Sequence, residues 1–97
     1  MFNKLKQVKD LRDKAKRLQN MLSEETVEAS AAWGKIKIVM DGNQTVRSVS
    51  VEPEMLADRK KLEDALKDAY NDAVKKAQKT MVDKMRKSGD LNIPGLT

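Results

Sequence analysis

Apolar positions fall at helical spacing along the first fifth of the chain, at every second residue through the middle, and at helical spacing again to near the end. Val8, Leu11, Ala15, Leu18 and Leu22 follow a 3-4-3-4 rhythm. That is a narrow seam, of the kind that presses a helix against one neighbour. Phe2 and Leu5 extend it with a small phase shift, and neither Gly nor Pro interrupts residues 1–33. The seam predicts a first helix about 30 Å long for roughly 20 helical residues. Glu24-Glu25 closes the pattern.

Thr26 to Ala31 reads as a weak strand, since alanine and serine fit strands poorly. "KIKIVMDG" alternates cleanly: Ile36, Ile38 and Met40 on one face, Lys35, Lys37 and Val39 on the other. Asp41-Gly42-Asn43 predicts a hairpin turn, because Gly and Asn tolerate positive φ. In the return strand, "TVRSVSV", strict alternation groups Arg47, Val49 and Val51 against Val46, Ser48 and Ser50. Pro53 lacks an N–H and should end the ladder.

Pro53 and Glu54 suit a first helical turn, and Asp58 suits a cap for a restart at "RKKLEDAL". Leu62, Leu66, Ala69, Ala73, Ala77 and Met81 form the main apolar stripe, widened by Tyr70, Val74 and Met85. This second helix is expected to end near Lys87, with Gly89 as the stop. Residues 88–97 are expected to be a mobile tail. The order is α-β-β-β-α: one α+β domain over 1–97, with a small three-stranded antiparallel sheet and two long helices. Both helices must run past the sheet, leaving their apolar strips in water unless a second copy covers them. A homodimer follows as the expectation.

Composition sharpens this. The aromatics are Phe2, Trp33 and Tyr70 alone, and 36% of residues are charged, so a lone chain has a thin core. Net charge is +5. Residues 1–22 carry seven basic and two acidic groups, and residues 75–87 carry six basic groups against Asp83 alone. The middle of the chain is acidic. Cationic charge therefore gathers on the first helix and on the far half of the last. That asymmetry points to a polyanionic partner. The candidate contacts are Lys4, Lys6, Lys9, Arg12, Lys16 and Arg17, then Lys75, Lys76, Lys79, Lys84, Arg86 and Lys87. Lys9, Arg12 and Lys16 project from one side.

Lysine outnumbers arginine fifteen to five. Lysine acts as a point charge, whereas arginine forks onto guanine edges. Phosphate contact is thus favoured over base readout. Single-strand binders add stacked aromatics, which are scarce here, so duplex DNA is the expected polyanion.

The chain has no His and no Cys. The commonest metal ligands and general bases are missing. Asp64 and Asp68 lie one turn apart and read as a solvated helix face supported by Lys67. Glycines are unclustered, so no phosphate loop exists. An enzyme, a cofactor or a small-molecule substrate is not expected. No apolar run approaches the roughly 20 residues needed to span a bilayer, and Met1 to Asp10 lack a signal-type stretch. The expectation is a soluble cytoplasmic protein with no membrane partner.

Residues 46–78 resemble the YbaB/EbfC family of bacterial nucleoid-associated proteins. The likeness is carried by Val49, Val51, Pro53, Met55-Leu56, Leu62-Glu63-Asp64, Ala69, Asn71 and Ala73. Gly34 to Gly42 match the family's hairpin, Pro94-Gly95-Leu96 its terminal motif, and the lysine-rich first helix agrees. The chain departs from the pattern at "SAAWG", where Trp33 stands at a place glycine is common. Trp33 is expected to pack beside the sheet or to join the dimer contact. The resemblance implies a tweezer-shaped homodimer gripping duplex DNA with modest sequence preference, located at the nucleoid, with regulatory consequences. The rival reading is a helical scaffold or prefoldin-like chaperone holding protein clients.

Overall fold

The structure, a computed structural model, describes residues 2–88, with side chains over residues 6–87. The side chains of Phe2, Lys4 and Leu5, the stop at Gly89, residues 89–97 of the expected tail and with them Pro94-Gly95-Leu96 lie outside the described residues, while Ser88, expected to open that tail, ends α2. The elements are α1 (Phe2–Ser23), β1 (Thr26–Ala31), β2 (Ile36–Asp41), β3 (Val46–Val51), a 3₁₀ turn (Pro53–Ala57) and α2 (Arg59–Ser88). The sheet is antiparallel with order β1-β2-β3. The α+β architecture is the one the periodicity predicts.

Alternation decides the inner face. Ile36, Ile38 and Met40 of β2 are buried beside Ala29 of β1. Each large side chain so buried contributes about 1.5–3 kcal/mol. The helix covering them is α2, and its contact stripe is Ala65, Ala69, Ala73 and Ala77, the last three fully buried. Four alanines at i,i+4 let the helix axis sit close to the strands. Leu62, Leu66 and Val74 flank the stripe and are only partly buried. Tyr70, which widens the apolar stripe in the sequence, is 44% exposed rather than packed beneath the helix. The close approach that alanine allows leaves no room for a ring beneath the helix.

α2 covers β1 and β2, while on the inner face of β3 only Val51 packs against the core and Val46 and Val49 are exposed. β3 also corrects the alternation rule. Val39 pairs with Ser48, but Met40 pairs with Val46, leaving Arg47 as the extra residue of a bulge. The bulge puts Val46 opposite Met40 and frees Arg47 from the strand pattern. After Val51, Glu52 N–H donates to the Lys35 carbonyl at 2.9 Å, the last such bond before Pro53. Pro53 opens a single 3₁₀ turn, and α2 itself begins at Arg59. The 3₁₀ turn breaks at Asp58, in extended conformation, whose carboxylate accepts the Lys61 N–H at 3.1 Å. Asp58 is therefore the cap that the sequence suggested for the restart.

The two hairpin turns differ from expectation in instructive ways. In the β2–β3 turn the left-handed residue is Gln44, at φ 66°, rather than Gly42 or Asn43. Asp41 N–H donates to the Thr45 carbonyl at 2.9 Å and Gln44 N–H to the Asp41 carbonyl at 3.1 Å. That is a three-residue loop ending in a left-handed residue. Gly42 is needed for close approach instead: a Cβ there would lie 2.8 Å from the Leu22 carbonyl oxygen. In the β1–β2 turn, Ala32, Trp33 and Gly34 are all left-handed, at φ 53°, 61° and 85°. Trp33 is 100% exposed, which overturns packing beside its own sheet.

α1 leaves the sheet as an arm. Leu22 is buried and Leu18 half-buried, but Val8 and Leu11 are 56% and 67% exposed. The described chain measures 63 × 25 × 20 Å.

Candidate nucleic-acid interface

The cationic helices meet at one end of the sheet. Ala15, Leu18 and Leu22 of α1 share a depression with Asn43 and with Met81 of α2. The bond of Gly42 N–H to the Leu22 carbonyl, 2.9 Å, puts the α1 terminus against the β2–β3 turn. An ion pair of 2.7 Å joins Lys84 of α2 to Glu25, just past α1. The basic half of α2 therefore lies at the same end as α1. Trp33 marks the opposite end, on the β1–β2 turn.

On α1, Lys6, Lys9, Arg12, Lys16 and Arg17 are all exposed. None of these five forms an ion pair among the described residues. Lys9, Arg12 and Lys16 stand on one side, as their 3-4 spacing requires. The flank holding Arg17 is mixed: Asp10 and Asp13 line a shallow depression there with Lys14 and Arg17. Lys14 is a further exposed cation that the charge reading passed over, although its residue type and helix were the same. The side chain of Lys4 lies outside the described residues.

On α2 the six candidates divide. Lys75, Lys79 and Arg86, at spacings of four and seven, fall on the side away from the alanine stripe. Together with Lys87 they are exposed and unpaired among the described residues. Lys76 is held at home, 3.3 Å from Asp72, and its ammonium donates to the Glu28 carbonyl at 2.9 Å. Lys84 is half-buried in its pair with Glu25. These two lysines tie α2 to β1 and to the α1–β1 connection. In its first turns α2 pairs Glu63 with Arg59 and Asp64 with Lys60.

Arg47 is the residue that sequence reasoning missed. Its guanidinium donates to the Ser23 carbonyl at 3.2 Å and pairs with Asp41 at 3.0 Å. Asp41 is 4% exposed, a buried anion beside the end of α1. Its other carboxylate oxygen accepts the N–H groups of Asn43 and Thr45, at 2.8 and 3.0 Å. No sequence signal marks the bulge that brings Arg47 there.

The arrangement is a pair of elongated cationic surfaces fit for a polyanion of repeating charge. Among the described residues no helix is long and apolar enough to cross a membrane.

Comparison with known proteins agrees with this reading. The chain is 43% identical over 98% of its length to a nucleoid-associated protein of Syntrophobacter fumaroxidans, covering 89% of that protein. It is 38% identical over 99% of its length to a nucleoid-associated protein of Pelotomaculum thermopropionicum, covering 94% of it. A crystal structure of an uncharacterized protein from Helicobacter pylori shares the fold, with TM-score 0.69 at 15% identity, over 88% of this chain and 95% of that one. Residues 1–90 match the YbaB/EbfC DNA-binding family. The chain belongs to the YbaB/EbfC DNA-binding family.

Proposed function

We propose that this chain is a nucleoid-associated protein: a homodimer that grips duplex DNA with little sequence specificity, organises the nucleoid in the cytoplasm and thereby influences transcription. The observation that carries the proposal is the convergence of unpaired cationic faces on α1 and distal α2 at one end of a chain from a DNA-binding family. Relatives named nucleoid-associated proteins support the cellular setting.

Dimerisation is supported by apolar surface without cover. Val8 and Leu11 on α1, Val46 and Val49 on β3, and Leu56 after it are all exposed. A second copy brings matching strips by symmetry. Duplex DNA is favoured over single strands because the fully exposed Trp33 stands at the opposite end of the sheet from the candidate cations of α1 and distal α2.

The test is a salt titration of binding to unrelated duplexes, run beside a mass measurement. A dimer engaging about six phosphates gives a log–log slope of about −5. Replacing Lys9, Arg12 and Lys16 together by Glu should weaken all duplexes alike. Affinity unchanged by that triple replacement would remove α1 from the interface. Capture of unfolded protein that persists at high salt, without DNA binding, would favour the chaperone reading instead.

A further inference from the structure

We propose that Arg47 is a positioning residue for α1: with Gly42 and Asn43 it forms a seat under the C-terminus of that helix and sets the direction in which the cationic arm leaves the sheet. The functional consequence rests on the DNA-binding reading above; the seat itself rests on contacts within the chain.

Carbonyls in the last turn of a helix lack intrahelical donors and carry partial negative charge. α1 has no basic residue of its own in that turn. Local bonds meet some of these carbonyls, the Glu24 N–H at the Met21 carbonyl, the Glu25 N–H at the Leu22 carbonyl and the Ser23 hydroxyl at the Asn20 carbonyl; the β2–β3 hairpin adds the rest. The Asn43 side-chain amide donates to the Gln19 carbonyl at 2.9 Å. Gly42 N–H donates to the Leu22 carbonyl at 2.9 Å. The Arg47 guanidinium donates to the Ser23 carbonyl at 3.2 Å, bringing a full positive charge to the negative end of the helix.

The seat is held from below. Asp41 pairs with Arg47 through one carboxylate oxygen and accepts two turn N–H groups through the other. One buried anion therefore fixes both the turn and the guanidinium. The bulge is what allows this, because Arg47 has no partner residue on β2 and is free of the strand's alternation. From Lys6 to Arg17 α1 is exposed throughout, so its direction is set at its C-terminal end alone, by this seat together with the apolar contacts of Leu18 and Leu22 and the Glu25–Lys84 pair.

The chain has no Cys, so Gln7→Cys on α1 and Gln78→Cys on α2 give a spin-label pair at two exposed sites. Labelled chain is diluted with unlabelled chain, so that only the distance within one chain is read by pulsed electron resonance. Arg47→Ala should broaden that distance distribution and lower duplex affinity about three- to tenfold, through lost preorganisation, with helix content unchanged. Arg47→Lys, which returns one cationic donor beside Asp41, should recover most of the narrow distribution. A distribution as narrow in Arg47→Ala as in the parent overturns the proposal. A fall in affinity without broadening does so too, making Arg47 a direct phosphate contact. Should Arg47→Ala fail to fold, Asn43→Ala decides in its place: broadening supports the seat, and an unchanged distribution overturns it. Failure of the parent chain to bind DNA strikes the DNA-binding reading and leaves the distance test standing.

Discussion

Gly42 lies so close to Leu22 that a side chain cannot be accommodated: an added Cβ would stand 2.8 Å from the Leu22 carbonyl oxygen and 3.0 Å from its Cβ. The obstacle is helix backbone, which cannot swing aside. Gly34, by contrast, has nothing within 4 Å of such a Cβ but is held at φ 85°. Gly42→Ala should therefore destabilise by about 1–3 kcal/mol, the range for overpacking. Gly34→Ala should lose about 1 kcal/mol from backbone strain alone. Urea unfolding followed by circular dichroism separates them, and Gly42→Ala should also disturb amide exchange in the last turn of α1.

Ala73 is fully buried where α2 meets the sheet. Ala73→Leu keeps helix propensity and adds apolar volume, so propensity predicts no loss. Close packing predicts a loss of about 1–3 kcal/mol. A lowered urea midpoint with unchanged slope is the expected result.

Ala32 and Trp33 occupy the two central places of a turn that requires positive φ at both. Trp33 makes no compensating contact in its own chain, being fully exposed. Replacing the pair by Asn-Gly should raise stability by about 1–2 kcal/mol, as left-handed strain is relieved. Thermal unfolding at fixed protein concentration measures it.

Glu25 neutralises Lys84 at 2.7 Å in the cationic region. Glu25→Gln removes one negative charge there and releases one ammonium. Duplex affinity at low salt should rise about two- to fivefold, with a steeper salt slope. Because the pair is only partly buried, the stability change should stay below about 1 kcal/mol. Fluorescence anisotropy against a labelled duplex reads the first, and a thermal melt the second.

Elements with strong periodicity were legible from sequence. β2 could be read because Ile36, Ile38 and Met40 must share a buried face, and α1 because an uninterrupted seam admits one conformation. The charge asymmetry likewise placed the basic surface without reference to tertiary structure. Three features were hidden. The bulge at Arg47 arises from how β3 pairs with β2, and no local composition encodes it. The left-handed run at Ala32 and Trp33 contradicts local preference, so propensity pointed away from it. Tyr70 looked like core because it widens an apolar stripe; which part of that stripe meets the sheet is decided by alanine's small size across four turns. Among the site residues, exposure was predictable and the i,i+4 pair of Asp72 with Lys76 was readable along the helix, but the bond of Lys76 to the Glu28 carbonyl and the capture of Lys84 by Glu25 depend on neighbours brought in by the fold.

α2 runs from Arg59 to Ser88 without a break, seated on the strands through Ala65 to Ala77 and continuing past them toward the end of α1, where Met81 and Lys84 meet it. Such a rod acts as a lever. Beyond Ala77 the helix extends about 16 Å, so a tilt of roughly 10° at the alanine seam displaces the far tip by about 3 Å. In the dimer proposed above, the aperture between two such arms should therefore follow the angular tolerance deep in the alanine seam, where a single methyl group changes the pitch. Substitutions far from any phosphate should widen or narrow the grip as strongly as those at its cations.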